Sequence, residues 1–470
     1  MAQSYIPLNQ TDSRTLSNAY VRSGLPRHFA LVAITLALTC STGLAKDGRG
    51  KSERHSRQVL RVALVGDPQV DNATEMRYAR KSIYRELAKR KDLDLCLLLG
   101  DLVNDSMPLL PESLSIIDSL PFPCFLTPGN HDRDVYRGRK ASGNEDRPRD
   151  LVTWRRVVGY VDTSFVRGNV RFIMMNNVRH SEAGMTDYEG GFTEMQKHWL
   201  DSLLKEAPGD REARTGRSRH DERIPALTIL ATHIPFSQMK GRDSVLALIP
   251  ASVRMLYVSG HTHSVARDDS IPEITAGAAC GSWWRGVKDS EGVPYAMQNC
   301  GAPRGYFVME IRRDGNYKLR YKCIGRPTSE QLSVWAIPCK RETALREHEA
   351  DASEQGTSKA GSERSYRLYV NVFGGAADGK VTVRCPRRRT CEPSDRTAPE
   401  VENIIKFNAS MSREYRKEHQ DEFIPLRRKS SPHLWQSREC LPYPLPEYVH
   451  VIYRDSHMKI KQRIRLQLLP

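Results

Sequence analysis

The sequence predicts an α/β domain followed by an all-β domain, and three observations carry that expectation. From residue 60 to about residue 330, short apolar runs alternate with stretches of helical periodicity, as in strands joined by helices. Residues 331–364 read as a linker, because "RETALREHEADASEQGTSKAGSER" at 341–364 has no apolar periodicity. From 365 to 470, "RLYVNVFGG", "KVTVRC", "EYVHVIYRD" and "KIKQRIRLQL" alternate apolar and polar residues between turn signals, with no helical stretch, as a β-sandwich does.

The elements follow in chain order. Arg22, Arg27 and His28 precede an apolar run from Phe29 to about Leu38, and small residues then lead to Gly43-Leu44-Ala45. That is an export signal over 1–45 with cleavage after Ala45, which directs the chain to the periplasm or cell envelope. Its apolar run is too short to span a bilayer, and no later segment reads as transmembrane. Residues 46–59 link it to the first domain. There the run "RVALVG" is followed by a helix with Met76, Ala79, Ile83 and Leu87 on one face. Further on, "TEMQKHWLDSLL" opens with a Thr193/Gln196 capping box and presents Met195, Trp199 and Leu203 for burial. Residues 137–150 and 207–223 read as exposed loops.

Composition narrows the function classes. Apolar residues at 39% and charged residues at 27% are ordinary for a globular chain of 470 residues. The 72 Lys and Arg against 56 Asp and Glu leave a net charge of +16. The excess reads as lying in loops such as "REARTGRSRH" and "CPRRRTC" rather than on one basic face interleaved with aromatics, so nucleic acid is not expected as a partner. No C-x-x-C zinc pattern and no G-x-S-x-G elbow occur. Of the ten cysteines, Cys96 and Cys124 sit in apolar runs as buried thiols, while Cys280/Cys300 and Cys385/Cys391 are the candidate disulfides. Cys40 would suit a lipoprotein, but Thr39 before it is bulky for that processing.

Five strand ends carry the chemistry. "RVALVG" ends in Asp67-Pro68-Gln69, "LDLCLLLG" in Asp101 and "FPCFLTPG" in Asn130-His131-Asp132. "ALTILAT" ends in His233 and "MLYVSG" in His261-Thr262-His263. Each ending alone would pass for a turn. Together they place two carboxylates, two amides and several imidazoles at strand tips, the donor set of a divalent metal pair. His261 and His263 would face opposite sides if extended, so the Gly260 turn has to redirect them.

The order of these blocks resembles the calcineurin-like metallophosphoesterases, whose pattern is D-x-H, G-D, G-N-H-[DE], H and G-H-x-H. "GD" at 100–101, "GNHD" at 129–132, His233 and "GHTH" at 260–263 match, and Gln69 stands where the family usually has histidine. The resemblance covers residues 60 to 330 and implies a β-sandwich core flanked by helices. It also implies two metal ions, Mn, Fe or Zn. Asp67, Gln69, Asp101 and His263 would hold one, and Asp101, Asn130, His233 and His261 the other. A hydroxide between them would attack phosphorus, His131 would protonate the leaving oxygen or stabilise the transferring phosphoryl group, and either Asn104 or Asp105 would orient His131. Downstream, Trp283, Trp284 and Arg285 could meet the substrate, although the tryptophans also suit packing. The later residues resemble the C-terminal β-sandwich module of exported bacterial members. The expected enzyme is an exported phosphoesterase that favours phosphomonoesters, with a phosphorylated small molecule or envelope component as substrate. A phosphodiesterase, nuclease or phospholipid-type enzyme included, and a weakly catalytic envelope-binding protein are the alternatives.

Overall fold

The computed structural model describes residues 59–134, 151–180, 188–205, 225–268, 270–339 and 364–469. Gln58–Pro470 forms one compact unit. The expected export signal, the linker at 46–58, the two loops and the linker core at 341–363 lie outside the described residues.

Among the described residues, two sheets of the first domain face each other. The first contains β1 (Val59–Val65), β2 (Leu95–Leu98) and β3 (Cys124–Leu126), all parallel. The second contains β4 (Thr163–Arg167) and β5 (Val170–Met174). β6 (Val178–His180) and β7 (Tyr188–Gly190) pair as a separate two-stranded hairpin, and β8 (Leu227–Ala231), β9 (Met255–Ser259), β10 (Val265–Asp268) and β11 (Glu273–Ala276) complete the second sheet. The chain then returns to the first sheet as β12 (Gly305–Arg312) and β13 (Tyr317–Cys323), giving the order β13-β12-β1-β2-β3.

Strand sequences explain the layering. In β1, Val62 and Leu64 enter the core between the sheets, while Ala63 and Val65 face helices outside. In β9, Leu256 and Val258 point inward, while Met255 and Tyr257 pack outward. Continuous apolar runs are what such doubly covered strands require. The cover on the first sheet is α1 (Ala73–Ala79), continued through a π-helical turn to Ala88, with α2 (Leu110–Asp118) and α3 (Val152–Val158). Met76, Ala79, Ile83 and Leu87 are all buried there, as their spacing predicts. The second sheet is covered by α4 (Glu194–Lys205) and α5 (Arg242–Leu246). The Thr193/Gln196 box is formed, with Gln196 N donating to Thr193 Oγ1 at 3.2 Å and Thr193 N to Gln196 Oε1 at 3.0 Å. Met195, expected inside, is exposed, and Leu200, Leu203 and Leu204 form the buried stripe instead.

The C-terminal region is a sheet-rich, nearly barrel-like sandwich. Residues 332–338, read as linker from the sequence, form its first strand, β14 (Leu332–Pro338), because their apolar alternation pairs with β15 (Ser365–Val372). β16 (Lys380–Cys385), β17 (Arg387–Pro393), β18 (Leu434–Ser437), β19 (Leu441–Pro442), β20 (Tyr448–Arg454), β21 (Lys459–Arg465) and β22 (Gln467–Leu468) complete the sheet. Two helices that the sequence reading lacked, α6 (Pro399–Ser410) and α7 (Arg413–Glu418), separate β17 from β18. Val401, Ile404 and Ile405 of α6 pack on Met297, Ile424 and Leu426.

The inner face of this sheet joins the core between the first two sheets. A buried ion pair, Arg267 Nη1 to Asp455 Oδ2 at 2.6 Å, ties β10 to the turn between β20 and β21. Among the described residues the disulfide is Cys339–Cys440, and Cys280, Cys300, Cys385 and Cys391 are free. Cys385 opposes Arg387 across the β16–β17 hairpin while Cys391 opposes Ser437 on the other side, which keeps these two thiols apart. Cys280 and Cys300 are committed to separate neighbours, Gln69 Oε1 and Val265 N.

Candidate metal centre

The tips of β1, β2 and β3 meet those of β8 and β9 at one edge of the sandwich. Loops 67–70 and 101–104 run side by side, with Asp67 N donating to Gly100 O and Gln69 N to Asp101 O. Asp67 is buried and accepts from His261 N at 3.0 Å, which joins the two sheets. Asp101, also buried, accepts from His131 N at 2.9 Å through Oδ1 and lies 3.3 Å from His233 Nε2 through Oδ2.

The histidines are aimed by their other nitrogens. His233 Nδ1 is hydrogen-bonded to Leu99 O at 2.8 Å, so Nε2 faces Asn130 Oδ1 at 2.9 Å and His261 Nδ1 at 3.1 Å. His263 Nδ1 is likewise bonded to Gly281 O at 2.7 Å, and its Nε2 lies 3.7 Å from Asp67 Oδ1. Such outer bonds fix the ring orientation of metal-ligating imidazoles. Ligand atoms of Asp101, His233 and His261 lie within 4.8 Å of one another, so these three could share an ion.

Backbone strain concentrates here. Among the described residues ten non-glycine residues have left-handed φ, and Asp67, Gln69, Asp101, Asp105, His261, His263, Trp283 and Trp284 are eight of them. Each such residue costs about 1–3 kcal/mol, which the surrounding packing must offset. His261 (φ 72°) and His263 (φ 48°) thus turn to one site by their own backbones, not through Gly260 alone. At Gly129 a β-carbon would stand 2.0 Å from Asp101 Oδ1. Glycine is required there by space.

Electrostatics fit a cation. Burial, reinforced by Asp101, pushes the Asp67 carboxyl well above its ordinary range even though His233 opposes the shift. Burial opposes a charge on His233, but the Asp101 carboxylate outweighs it and raises its pKa to about 9. Burial and the charge on His233 push His261 down to about 3. Burial also takes His263 down to about 4. Two buried carboxylates beside two imidazoles that resist protonation form a donor set suited to divalent ions.

His131 sits apart from this set and is partly exposed. Its Nδ1 is bonded to Asp105 Oδ1 at 2.8 Å, so Asp105 rather than Asn104 orients it. Burial opposes its charge, but the bond to Asp105 and the Asp101 carboxylate hold its pKa above the ordinary value. Asn104 instead accepts from Gln69 Nε2 at 3.4 Å. Asp132 is a strut, accepting from Val103 N and Gly129 N.

The Trp-Trp-Arg segment divides. Trp283 is 46% exposed, donates its indole N–H to Gln69 Oε1 at 3.1 Å and stands edge-on to His263. Trp284 is buried, donates to Pro68 O at 3.0 Å and is stacked by Arg304, so it packs behind the loop and does not line the cleft. Arg285 is exposed, and among the described residues no hydrogen bond brings it to the cluster. Tyr188 stands edge-on to His261 with ring centroids 5.8 Å apart. Its sequence setting, "DYEGG", carries no signal for that position.

With this geometry, residues 60–265 match the family model for calcineurin-like phosphoesterase. Residues 273–452 match the model for the C terminal of calcineurin-like phosphoesterase. The chain belongs to the calcineurin-like phosphoesterases. It is 29% identical over 181 residues to a 3′,5′-cyclic-nucleotide phosphodiesterase of Nostoc sp., a match covering 38% of this chain and 59% of that relative. Among solved structures, yellow lupin (Lupinus luteus) purple acid phosphatase is 14% identical with a TM-score of 0.33, covering 58% of this chain and 52% of its own. The NAD nucleotidase of Haemophilus influenzae is 12% identical with a TM-score of 0.29, covering 56% and 49%.

Proposed function

We propose that the chain is a metal-dependent phosphoester hydrolase that binds two divalent cations sharing Asp101, acts outside the cytoplasm and accepts phosphomonoesters. The observation that carries the metal reading is the meeting of buried Asp67 and Asp101 with imidazoles already oriented by backbone carbonyls. Asp67, Gln69, Asp101 and His263 would hold one ion, and Asp101, Asn130, His233 and His261 the other. The oxygen donors Asp67, Gln69 and Asp101 tilt the first site towards Mn²⁺ or Fe over Zn²⁺. When bound, such ions supply Lewis acidity and positive charge at the phosphoryl oxygens.

The chain's own residues do the rest. Asp105 holds His131 Nδ1, which leaves Nε2 to carry the proton that the departing ester oxygen takes as the P–O bond breaks. Trp283 fixes the Gln69 oxygen through its indole N–H and offers its exposed ring to the organic part of the ester.

Export is supported by the signal-like stretch at 1–45 and by the Cys339–Cys440 disulfide, which suits an oxidising compartment. Recovery of a mature chain beginning near Lys46 from the periplasm is expected; an intact Met1 on cytosolic protein refutes it. The Nostoc relative's name favours a second reading, a phosphodiesterase. Comparing kcat/KM for p-nitrophenyl phosphate and its bis-ester at saturating Mn²⁺ separates the two. Preference for the monoester supports the first reading and preference for the bis-ester the second. Hydrolysis of neither, with metal bound, refutes both.

A further inference from the structure

Part of the basic excess lies on one face of the C-terminal sheet, while the stretch "REARTGRSRH" lies outside the described residues. The stretch "CPRRRTC" is not a free loop but the hairpin joining β16 to β17. Register sets which side chains share the outer face. Lys380, Arg454 and Lys459 form one cross-strand row. Arg388, Arg384, His450 and Arg463 form a second. Between them lie Thr390, Thr382, Ile452 and Lys461, and Tyr448 opposes Arg465 beyond. All seven cations of the first three rows are exposed. Among the described residues no ion pair joins any of the seven to a carboxylate, whereas Arg465 faces Glu447 at 3.5 Å.

Like charges directly opposite one another destabilise a sheet. Here Lys380, Arg454 and Lys459 oppose one another in turn, and Arg384 opposes Arg388. Folding alone gives no reason for such rows, so an external anion is the natural counterpart. Ile452, 40% exposed, sits in the middle of this face. A single-strand nucleic-acid platform needs aromatic faces free for base stacking. The Tyr448 ring is already covered by the Arg463 guanidinium, 4.3 Å from its centroid. A plane of cations around an apolar residue matches anionic headgroups over an acyl boundary.

We propose that the outer face of β17-β16-β20-β21 docks the enzyme on an anionic lipid bilayer. The face belongs to the C-terminal sheet and the proposal does not depend on the metal reading. Cosedimentation of the purified chain with phosphatidylcholine vesicles, with and without phosphatidylglycerol, tests it. Binding should require phosphatidylglycerol and fall at high salt. The triple variant Lys459→Gln/Lys461→Gln/Arg463→Gln should weaken it by about 100-fold. Arg427→Gln/Arg428→Gln/Lys429→Gln, with the same loss of charge in an exposed stretch off this face, should leave it within about twofold. Both variants should hydrolyse p-nitrophenyl phosphate at the parent rate. The single change Lys461→Gln, expected to cost about fivefold, serves if the triple variant does not fold. The proposal is overturned if the parent ignores phosphatidylglycerol, if the control variant loses as much as the triple, or if a single-stranded oligonucleotide displaces the vesicles.

Discussion

Gly129→Ala offers a sharp test of how the centre is assembled. The glycine backbone lies outside the left-handed region, so alanine is permitted by conformation and only space opposes it. The new β-carbon would lie 2.0 Å from Asp101 Oδ1 and 2.5 Å from Asp101 N. Ordinary contact begins at 3.4 Å, so the carboxylate must retreat by about 1.4 Å or the two loops must part. Either movement breaks the 2.9 Å bond from His131 N to Asp101 and displaces the carboxylate proposed to serve both ions. A misplacement of about 1 Å at a reacting centre costs roughly 10²-fold in rate, and overpacking of this kind costs about 1–3 kcal/mol of stability. The expected result is a fall in kcat of at least about 10²-fold with reduced metal content by mass spectrometry. Gly168→Ala is the control. Nothing lies within 4 Å of its β-carbon, and its φ of +59° makes it a backbone perturbation far from chemistry. It should lose stability and keep activity. If Gly129→Ala retains more than half the parent kcat with full metal content, the crowding argument is wrong.

Three further outcomes follow from the same structure. Asp101→Asn should abolish hydrolysis and most bound metal, checked by metal analysis of folded protein; normal content would remove the proposed sharing of Asp101 by both ions. His131→Gln should lower kcat by about 10²–10⁴-fold with metal content unchanged, and Asp105→Asn should lower it less while shifting the alkaline limb of the pH–rate profile to lower pH. Asp455→Asn should destabilise the fold by about 3–5 kcal/mol, since it strands the buried Arg267 guanidinium, and denaturant titration reads this directly. Burial pushes the Asp455 carboxyl up, but Arg267 and Tyr453 outweigh it and hold its pKa below the ordinary value. Its contribution should therefore be full above about pH 4 and disappear as the pH falls further in the parent, and be absent at every pH in the variant.

The strand tips were legible because a doubly covered strand must be apolar throughout, so a polar residue at its end stands out. For that reason Asp67, Asp101, Asn130, His233 and His261 could be read in order, and the structure brings them together. What surrounds them depends on backbone angles that no residue spacing encodes. Trp283 and Trp284 are adjacent and identical in type, yet left-handed φ values at both send one to the cleft and the other into the core. Tyr188 arrives from a short hairpin with no motif of its own. In the C-terminal region each strand was visible singly, but register decides which basic residues share a face, and register is a relation between distant segments. The helix at Pro399–Ser410 escaped because its apolar side, Val401, Ile404 and Ile405, is narrow and packs on Met297, Ile424 and Leu426 outside the helix.

The position of β12 bears on how this protein is made. β1, the first strand synthesised in the first sheet, lies between β2 and β12, and its partner residues in β12 begin at Arg312 for Val59. A ribosome that has delivered every proposed metal ligand through His263 has therefore not yet delivered the strand that closes the flank of β1. Until residues 305–323 emerge, that edge has unpaired backbone amides, a surface prone to pairing with other chains. The boundary between the two family matches, between residues 265 and 273, is thus a poor place to cut the gene. A fragment stopped there would carry the full ligand set on an unfinished sheet.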